Sequence, residues 1–369
     1  MGHFVRTSPY IDELLKLKPN FTGVIAHRNF SRCSLELEAF AEFNNGSELV
    51  LLTGPSQAGK SLVLQYFVRY LLNKVYRDAD ESTLPVIGAC ANLARQGHTA
   101  TKYVYEMLLG DARSPLFDQT KLMAANYRPV MALSEPSMLA ALSRALRILE
   151  TEYVLADEAQ FMIKAKSEEF RGSLIESLKS LVSYGRSLIL VGGYEVAKAV
   201  LEYREHMASR PTIIHLARYR KTDDDLKEWY RILKEFSGSE FLHFQDDLTL
   251  LRLAEILLEE CHGQTGILQH RLGRARCRAR ACGSLITERI IRDTRPTARQ
   301  WQVVRDSILA GEETLDRLVD VGPIPEDKQE SHNGACSADL THVEKTKENK
   351  KVRKAFTTNP RRAYPSVNV

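Results

Sequence analysis

No apolar run in the 369 residues approaches the roughly 20 needed to cross a bilayer, so a membrane-spanning helix is not expected. The first ten residues, Met1 to Tyr10, lack the apolar core of a secretory signal, and export is not expected either. Cysteine is sparse and scattered. Cys33, Cys90, Cys261, Cys277, Cys282 and Cys336 form no C-x-x-C pair, which excludes a zinc ribbon and a disulfide scaffold and fits reduced thiols in a cytoplasmic protein. With 20 glycines and 13 prolines the chain is neither collagen-like nor of low complexity. Charge of one sign is also lacking: 51 Lys and Arg stand against 47 Asp and Glu, a net charge of +4. That balance permits contact with nucleic acid without arguing for it, so local charge must decide. There is no internal repeat. What remains is 44% hydrophobic and 27% charged, the composition of a soluble globular protein. Its length suits two domains and a tail, at roughly 150 residues per domain.

The hydrophobic pattern divides the chain. Residues 1–45 read as an N-terminal extension with helices over Ile11–Leu17 and Ser34–Phe43. From 46 to 221, short apolar runs at 48–53, 84–90, 153–157, 187–192 and 212–217 alternate with helical stretches over 61–75, 100–109, 136–149, 168–184 and 194–204. Continuous apolar runs separated by helices predict an α/β fold, a doubly wound parallel sheet buried on both faces. From 222 to 320 the apolar spacing is helical throughout, which predicts a second, all-helical domain. Residues 321–369 turn poor in aliphatics and rich in Gly, Pro, Ser, Asn and Lys, a basic tail expected to be disordered.

The first apolar run leads into Gly54-Pro55-Ser56-Gln57-Ala58-Gly59-Lys60-Ser61, which fits G-x-x-x-x-G-K-[ST] at every fixed position, and a helix follows. Glycines let backbone N–H groups wrap phosphates, and the helix N-terminus adds partial positive charge. Lys60 would reach the β- and γ-phosphates, and the Ser61 hydroxyl would bind Mg²⁺. A second buried run ends in Asp157-Glu158. Asp157 suits the metal, and Glu158 suits the base that deprotonates an attacking water, which favours hydrolysis over transfer to a small acceptor. A third run ends Val191-Gly192-Gly193-Tyr194-Glu195.

This order of phosphate loop, Asp-Glu strand, third strand and helical lid resembles the AAA+ ATPases. Within them it resembles the TnsC/TniB transposition regulators of heteromeric, including CRISPR-associated, transposons. The carrying segments are Gly54–Ser61, Val154–Gln160, Leu188–Glu195 and the lid stretch Gly263–Gly283, and the resemblance covers about residues 25–310. It implies an AAA+ P-loop sheet with a C-terminal helical lid, and an ATP- and Mg²⁺-dependent homo-oligomer, ring or filament, on double-stranded DNA. It also implies that the oligomer links a TniQ/TnsD-like target selector to a TnsB-like DDE transposase, with hydrolysis promoting disassembly. The main departure is Gly193, where the family commonly has threonine, so γ-phosphate sensing would pass to Tyr194 or be lost.

Such oligomers place a neighbour's arginine on the γ-phosphate, a role open to Arg204 and, preferably, Arg210; either could instead pair with Glu202 or Glu205 on the surface. Lys102 matches the family's phosphate-contacting lysine, and Lys121 and Arg128 are further DNA candidates. Residues 271–305 hold ten arginines against two acids, Glu288 and Asp293. Arg274 and Arg278, four apart, repel unless something anionic meets them. Arg271 is a candidate for touching the nucleotide's phosphates. Two other readings share the core motifs: a STAND-type signalling or defence ATPase, and a replication-type clamp or helicase loader. The first lacks support, since no repeat-rich sensor follows the lid.

Overall fold

The computed structural model describes residues 5–17, 25–43, 48–90, 100–113, 134–163, 181–182, 185–202 and 211–319. Lys121, Arg128, Arg204, Arg210, most of the helix expected over 168–184 and the tail from 321 lie outside the described residues.

Five strands form one parallel sheet: β1 (Leu49–Thr53), β2 (Val86–Cys90), β3 (Tyr153–Asp157), β4 (Ser187–Gly192) and β5 (Thr212–His215). Their order is β2-β3-β4-β1-β5. The apolar runs anticipated every strand within two residues. Side chains alternate faces along a strand, so a run that is apolar at every position supplies two cores at once. Leu49, Leu51, Leu188 and Leu190 point to one face. Among the described residues, α4 (Ala100–Asp111), α5 (Glu135–Ile148) and α7 (Tyr194–Glu202) pack on it. Val50, Leu52, Ile189 and Val191 point to the other, beneath α1 (Pro9–Leu15), α2 (Arg28–Phe43) and α3 (Lys60–Tyr70). The helix expected over 61–75 is α-helical only to Tyr70 and ends in a π turn, Leu71–Val75. A short helix, α6 (Gln160–Ile163), follows β3.

Beyond the sheet the chain is helical, as its spacing predicts: α8 (Asp223–Ser237), α9 (Ala254–Glu260), α10 (Thr265–Ala281), α11 (Glu288–Arg292) and α12 (Ala298–Val319). Thr222 caps α8 by accepting from the Asp225 N–H, and three acids in the first turn suit the helix dipole. Trp229, Leu233, Leu257, Leu268 and Leu272 form a third core here. The last helix, α12, returns to the sheet, where Leu315 packs with Tyr194, Ala197 and Leu201 of α7. No described helix is long and apolar enough to cross a membrane.

The N-terminal helix is fastened to the sheet by polar groups. Asp111 accepts the Tyr10 N–H at 2.6 Å through one oxygen and the Gly88 N–H at 2.8 Å through the other. Gln65 donates to the Leu14 carbonyl at 2.8 Å, closing the far end of α1. Burial pushes the Asp111 carboxyl up to about 6, against the two N–H donors that lower it. The folded state therefore binds a proton that the unfolded state, with an ordinary value of 3.8, releases. The stability this group contributes is fully present below the unfolded value and is lost as pH rises to about 6. Asp111→Asn should remove that pH dependence and, by facing an N–H with an amide NH₂, destabilise the fold by about 1–3 kcal/mol. Urea unfolding of both proteins between pH 4 and 7 checks this, and an unchanged slope in the variant would assign the titration to another group.

Candidate functional site

The C-terminal ends of β1, β3 and β4 lie at one level because their registers align Thr53 with Gly192 and Ala156 with Leu190. Ligands of open parallel sheets sit at this edge. The phosphate loop leaves β1 here. Gly59 has φ 100, a conformation that a side chain would strain, and α3 begins directly after it. The first N–H groups of α3 have no partner within the helix, as at any helix start.

The Lys60 ammonium folds onto the loop, donating to the carbonyls of Gly54 at 3.1 Å and Pro55 at 2.8 Å. Burial lowers its pKa, opposed by the carboxylates of Glu158, Asp157 and Glu195. Ser61 donates its hydroxyl to Asp157 at 3.0 Å, and the other Asp157 oxygen accepts the Glu158 N–H at 2.8 Å. Burial raises the Asp157 pKa, while these two donors lower it. A hydroxyl and a carboxylate oxygen this close are hard donors of the kind Mg²⁺ takes, so the residues present fit that ion.

Glu158 sits in left-handed backbone, φ 54, a conformation rare for a residue with a side chain and concentrated at functional sites. Its carboxylate accepts from the Gln160 amide nitrogen. The Gln160 oxygen accepts the Gly193 N–H at 3.3 Å, which fixes the amide's orientation. The glycines ending β4 leave room for this arrangement. A Cβ on Gly192 would lie 2.7 Å from the Gln160 oxygen and 2.5 Å from a Val196 methyl, and one on Gly193 would meet the Glu195 carboxylate. Tyr194, the residue expected to take over γ-phosphate sensing if it is not lost, lines the cleft, and its hydroxyl is 3.1 Å from His215 Nε2. Gln160 and Glu195 also place polar side chains at the end of β4; both stand in segments that carry the family resemblance, which gives neither a role.

These groups line a cleft of about 800 Å³. The phosphate loop and Leu62 form one side, and Glu158, Gln160, Glu195 and Lys198 another. Two further walls come from the helical region: Gln264 before α10, and Val303, Val304, Ser307 and Gly311 of α12. The backbone of Gly266 packs on the Gln57 carbonyl with no room for a Cβ, so α10 starts against the phosphate loop.

Arg271 is not part of the cleft. It is buried in the helical region, 2.5 Å from the Glu260 carboxylate, and donates to the Ile291 carbonyl at 3.2 Å. Arg278 donates to the Asp293 carbonyl at 2.6 Å and Arg276 lies over the Phe241 ring, so two of the clustered arginines have internal partners. Lys102 stands in the first turn of α4, partly exposed.

Residues 44–200 match the AAA domain family. This is an ATPase of the AAA+ fold. The same fold is found in the ORC2 protein of Aeropyrum pernix, solved as ADPNP-ADP complexes, at 15% identity over 76% of this chain and 70% of that one, with a TM-score of 0.52. It is found also in Cdc6p from Pyrobaculum aerophilum, at 16% identity over 77% and 70%, with a TM-score of 0.52. No curated protein matches the chain.

Lys60→Ala should abolish ATP binding, because the ammonium supplies charge that backbone dipoles alone do not replace. Titration with a fluorescent ATP analogue checks this, and retained affinity would remove Lys60 from the phosphate site.

Proposed function

We propose that this ATPase is a nucleotide-controlled regulator of DNA transposition. It assembles as a homo-oligomer on duplex DNA with ATP bound and leaves after hydrolysis. The observation that carries the hydrolytic half is the linked set Ser61, Asp157, Glu158 and Gln160 at one end of the cleft. Lys60 exchanges its loop carbonyls for phosphate oxygens. Ser61 and Asp157 would hold Mg²⁺, which when bound would supply positive charge against the phosphates. Gln160 holds one oxygen of Glu158, so the carboxylate is oriented before a water reaches it, and Glu158 takes that water's proton. Arg210 of an adjacent copy is our candidate for stabilising charge on the γ-phosphate.

The DNA half rests on Lys102, in the helix that follows β2, with Lys121 and Arg128 in the same stretch of chain. The transposition reading is supported by the segments Val154–Gln160, Leu188–Glu195 and Gly263–Gly283. It brings with it a TnsB-like DDE transposase and a TniQ/TnsD-like target selector as partners. The fold shared with ORC2 and Cdc6p suits a replication-type loader equally well. A DDE transposase gene beside this one, and stimulation of that transposase by the purified protein with ATP, support the first reading; stimulated loading of a replicative clamp or helicase supports the second.

Glu158→Gln keeps the shape of the side chain and removes the base. ATP should still bind, hydrolysis should fall by about 10²-fold or more, and complexes on DNA should outlive those of the unsubstituted protein. Dissociation followed by fluorescence after dilution checks this; equal lifetimes with lost hydrolysis would show that turnover does not drive release. Lys102→Ala removes about one phosphate contact per subunit, repeated along an oligomer. Binding should weaken alike on all duplex sequences, with a shallower dependence of log affinity on log salt and unaltered ATP affinity. An unchanged salt slope would place DNA elsewhere on the surface.

A further inference from the structure

The loop between β5 and α8 contains Arg218-Tyr219-Arg220-Lys221, three cations in four residues. With α12 and the turn after α9 it encloses a hollow of about 360 Å³. Ile308 of α12 lines both this hollow and the nucleotide cleft, so the helix is a wall of each.

Four side chains around the hollow carry positive charge: Arg218, Arg220 and Lys221 from the loop, and Arg305 from α12. One lining side chain, Glu259, is a carboxylate, and Lys221 meets it at 2.9 Å. Arg218 and Arg220 share a single carboxylate, Glu312, at 2.9 and 3.3 Å. Arg305 has no carboxylate partner among the described residues and lies over the Trp301 ring, 5.2 Å from its centre. Four cations therefore face two carboxylates, and two positive charges are left over. The cations also converge. His262 lines the same hollow, with its ring 5.1 Å from that of Trp301. Burial lowers the His262 pKa, and Arg218 and Arg305, arriving from different segments, lower it further against a bond to the Trp301 backbone that raises it. The charged ends can be reached from solvent: the Arg220 and Lys221 side chains are 52% and 60% exposed, and Arg305 is exposed. A concave surface lined by one sign of charge focuses the field and gathers counter-ions.

A carboxylate would bring one negative charge to this place. A phosphate monoester brings about two, on three acceptor oxygens, which matches both the surplus and the forked donors of the guanidinium groups. Trp301 already has His262 and Arg305 against its ring, so the hollow offers no bare aromatic platform on which a nucleic-acid base would stack. We propose that the hollow is a second anion site, separate from the nucleotide cleft, and takes a small molecule bearing a phosphate monoester or pyrophosphate group. The bound group bridges Arg305 of α12 to Arg220 and Lys221 of the loop, and so fastens α12 to the end of β5. The assignment does not depend on how the nucleotide cleft is used.

Calorimetric titration with inorganic pyrophosphate tests the site. Lys60→Ala is the starting protein, because it removes the phosphate loop as a competitor. Pyrophosphate should bind to it and raise its thermal unfolding midpoint. Adding Lys221→Gln and Arg305→Gln, exposed cations that hold no buried acid, should weaken that binding by about tenfold or more for each charge removed, and leave the midpoint without pyrophosphate unchanged. Pyrophosphate binding that is absent, or equal in the two proteins, would overturn the site. Duplex DNA titrated against the full chain with and without Lys221→Gln and Arg305→Gln decides the source of the phosphate. An unaltered slope of log affinity against log salt is expected; a shallower slope would give the hollow to DNA phosphates and overturn the small-molecule assignment.

Discussion

Lys60 is a cation withdrawn from water at the point where three carboxylates face it. Burial lowers its pKa, the carboxylates oppose that shift, and the loop carbonyls of Gly54 and Pro55 accept its N–H groups. That balance demands that β1, β3 and β4 end at one level. A slip of one residue between parallel strands would exchange every inward and outward side chain. The sheet prevents it by being apolar on both faces: Val50 and Leu52 fill one core, Leu49 and Leu51 the other, and neither set can turn outward without exposing buried area. The two hydrophobic cores thus fix, through register, the meeting of Ser61 with Asp157 and of Gln160 with Gly193.

The cleft departs from what folding alone would select. Glu158 has left-handed backbone, Asp157 and Lys60 are ionisable groups taken from water, and Gln264 keeps a buried amide unpaired. Each feature opposes stability; Glu158, Lys60 and Gln264 line one cavity and Asp157 is bonded to Ser61 beside it, whereas the cores on either side of the sheet are almost wholly apolar. Strain and unsatisfied polarity gathered in one place are the physical signature of a site shaped for a ligand.

Sequence made much of this legible where the signal is local. A phosphate loop needs its residues consecutive, and a doubly buried strand needs an unbroken apolar run, so β1 to β5, Lys60, Ser61 and Asp157 could be read directly. Contacts between distant segments could not. Gln160 stands in a motif already noted, but its importance depends on Gly193, 33 residues on. Gln264 carries no pattern, since only its burial without partners marks it. Arg271 shows the converse: an arginine in a basic lid suggests a phosphate contact, yet Glu260 and the Ile291 carbonyl take it into the helical core. The docking of α1 also escaped notice, because it turns on Asp111, whose two oxygens accept backbone N–H groups rather than a charged partner.

The last helix ties these levels together. Glu312 on α12 is buried and meets Arg218, just past β5, through two bonds of 2.9 and 3.1 Å, with Arg220 at 3.3 Å. A carboxylate taken from water is held only where its donors are well aimed, so this contact is directional in a way that packing of Leu315 is not. One residue earlier, Gly311 lies against the Tyr194 ring, whose hydroxyl meets His215 at the end of β5. The same helix presents Val303, Val304 and Ser307 to the cleft. One rigid element is therefore fixed by a buried charge to the strand edge and forms a wall of the nucleotide cavity. That cavity is lined by the sheet edge and the helical region at once, and α12 cannot tilt away from it without breaking the Glu312 pair.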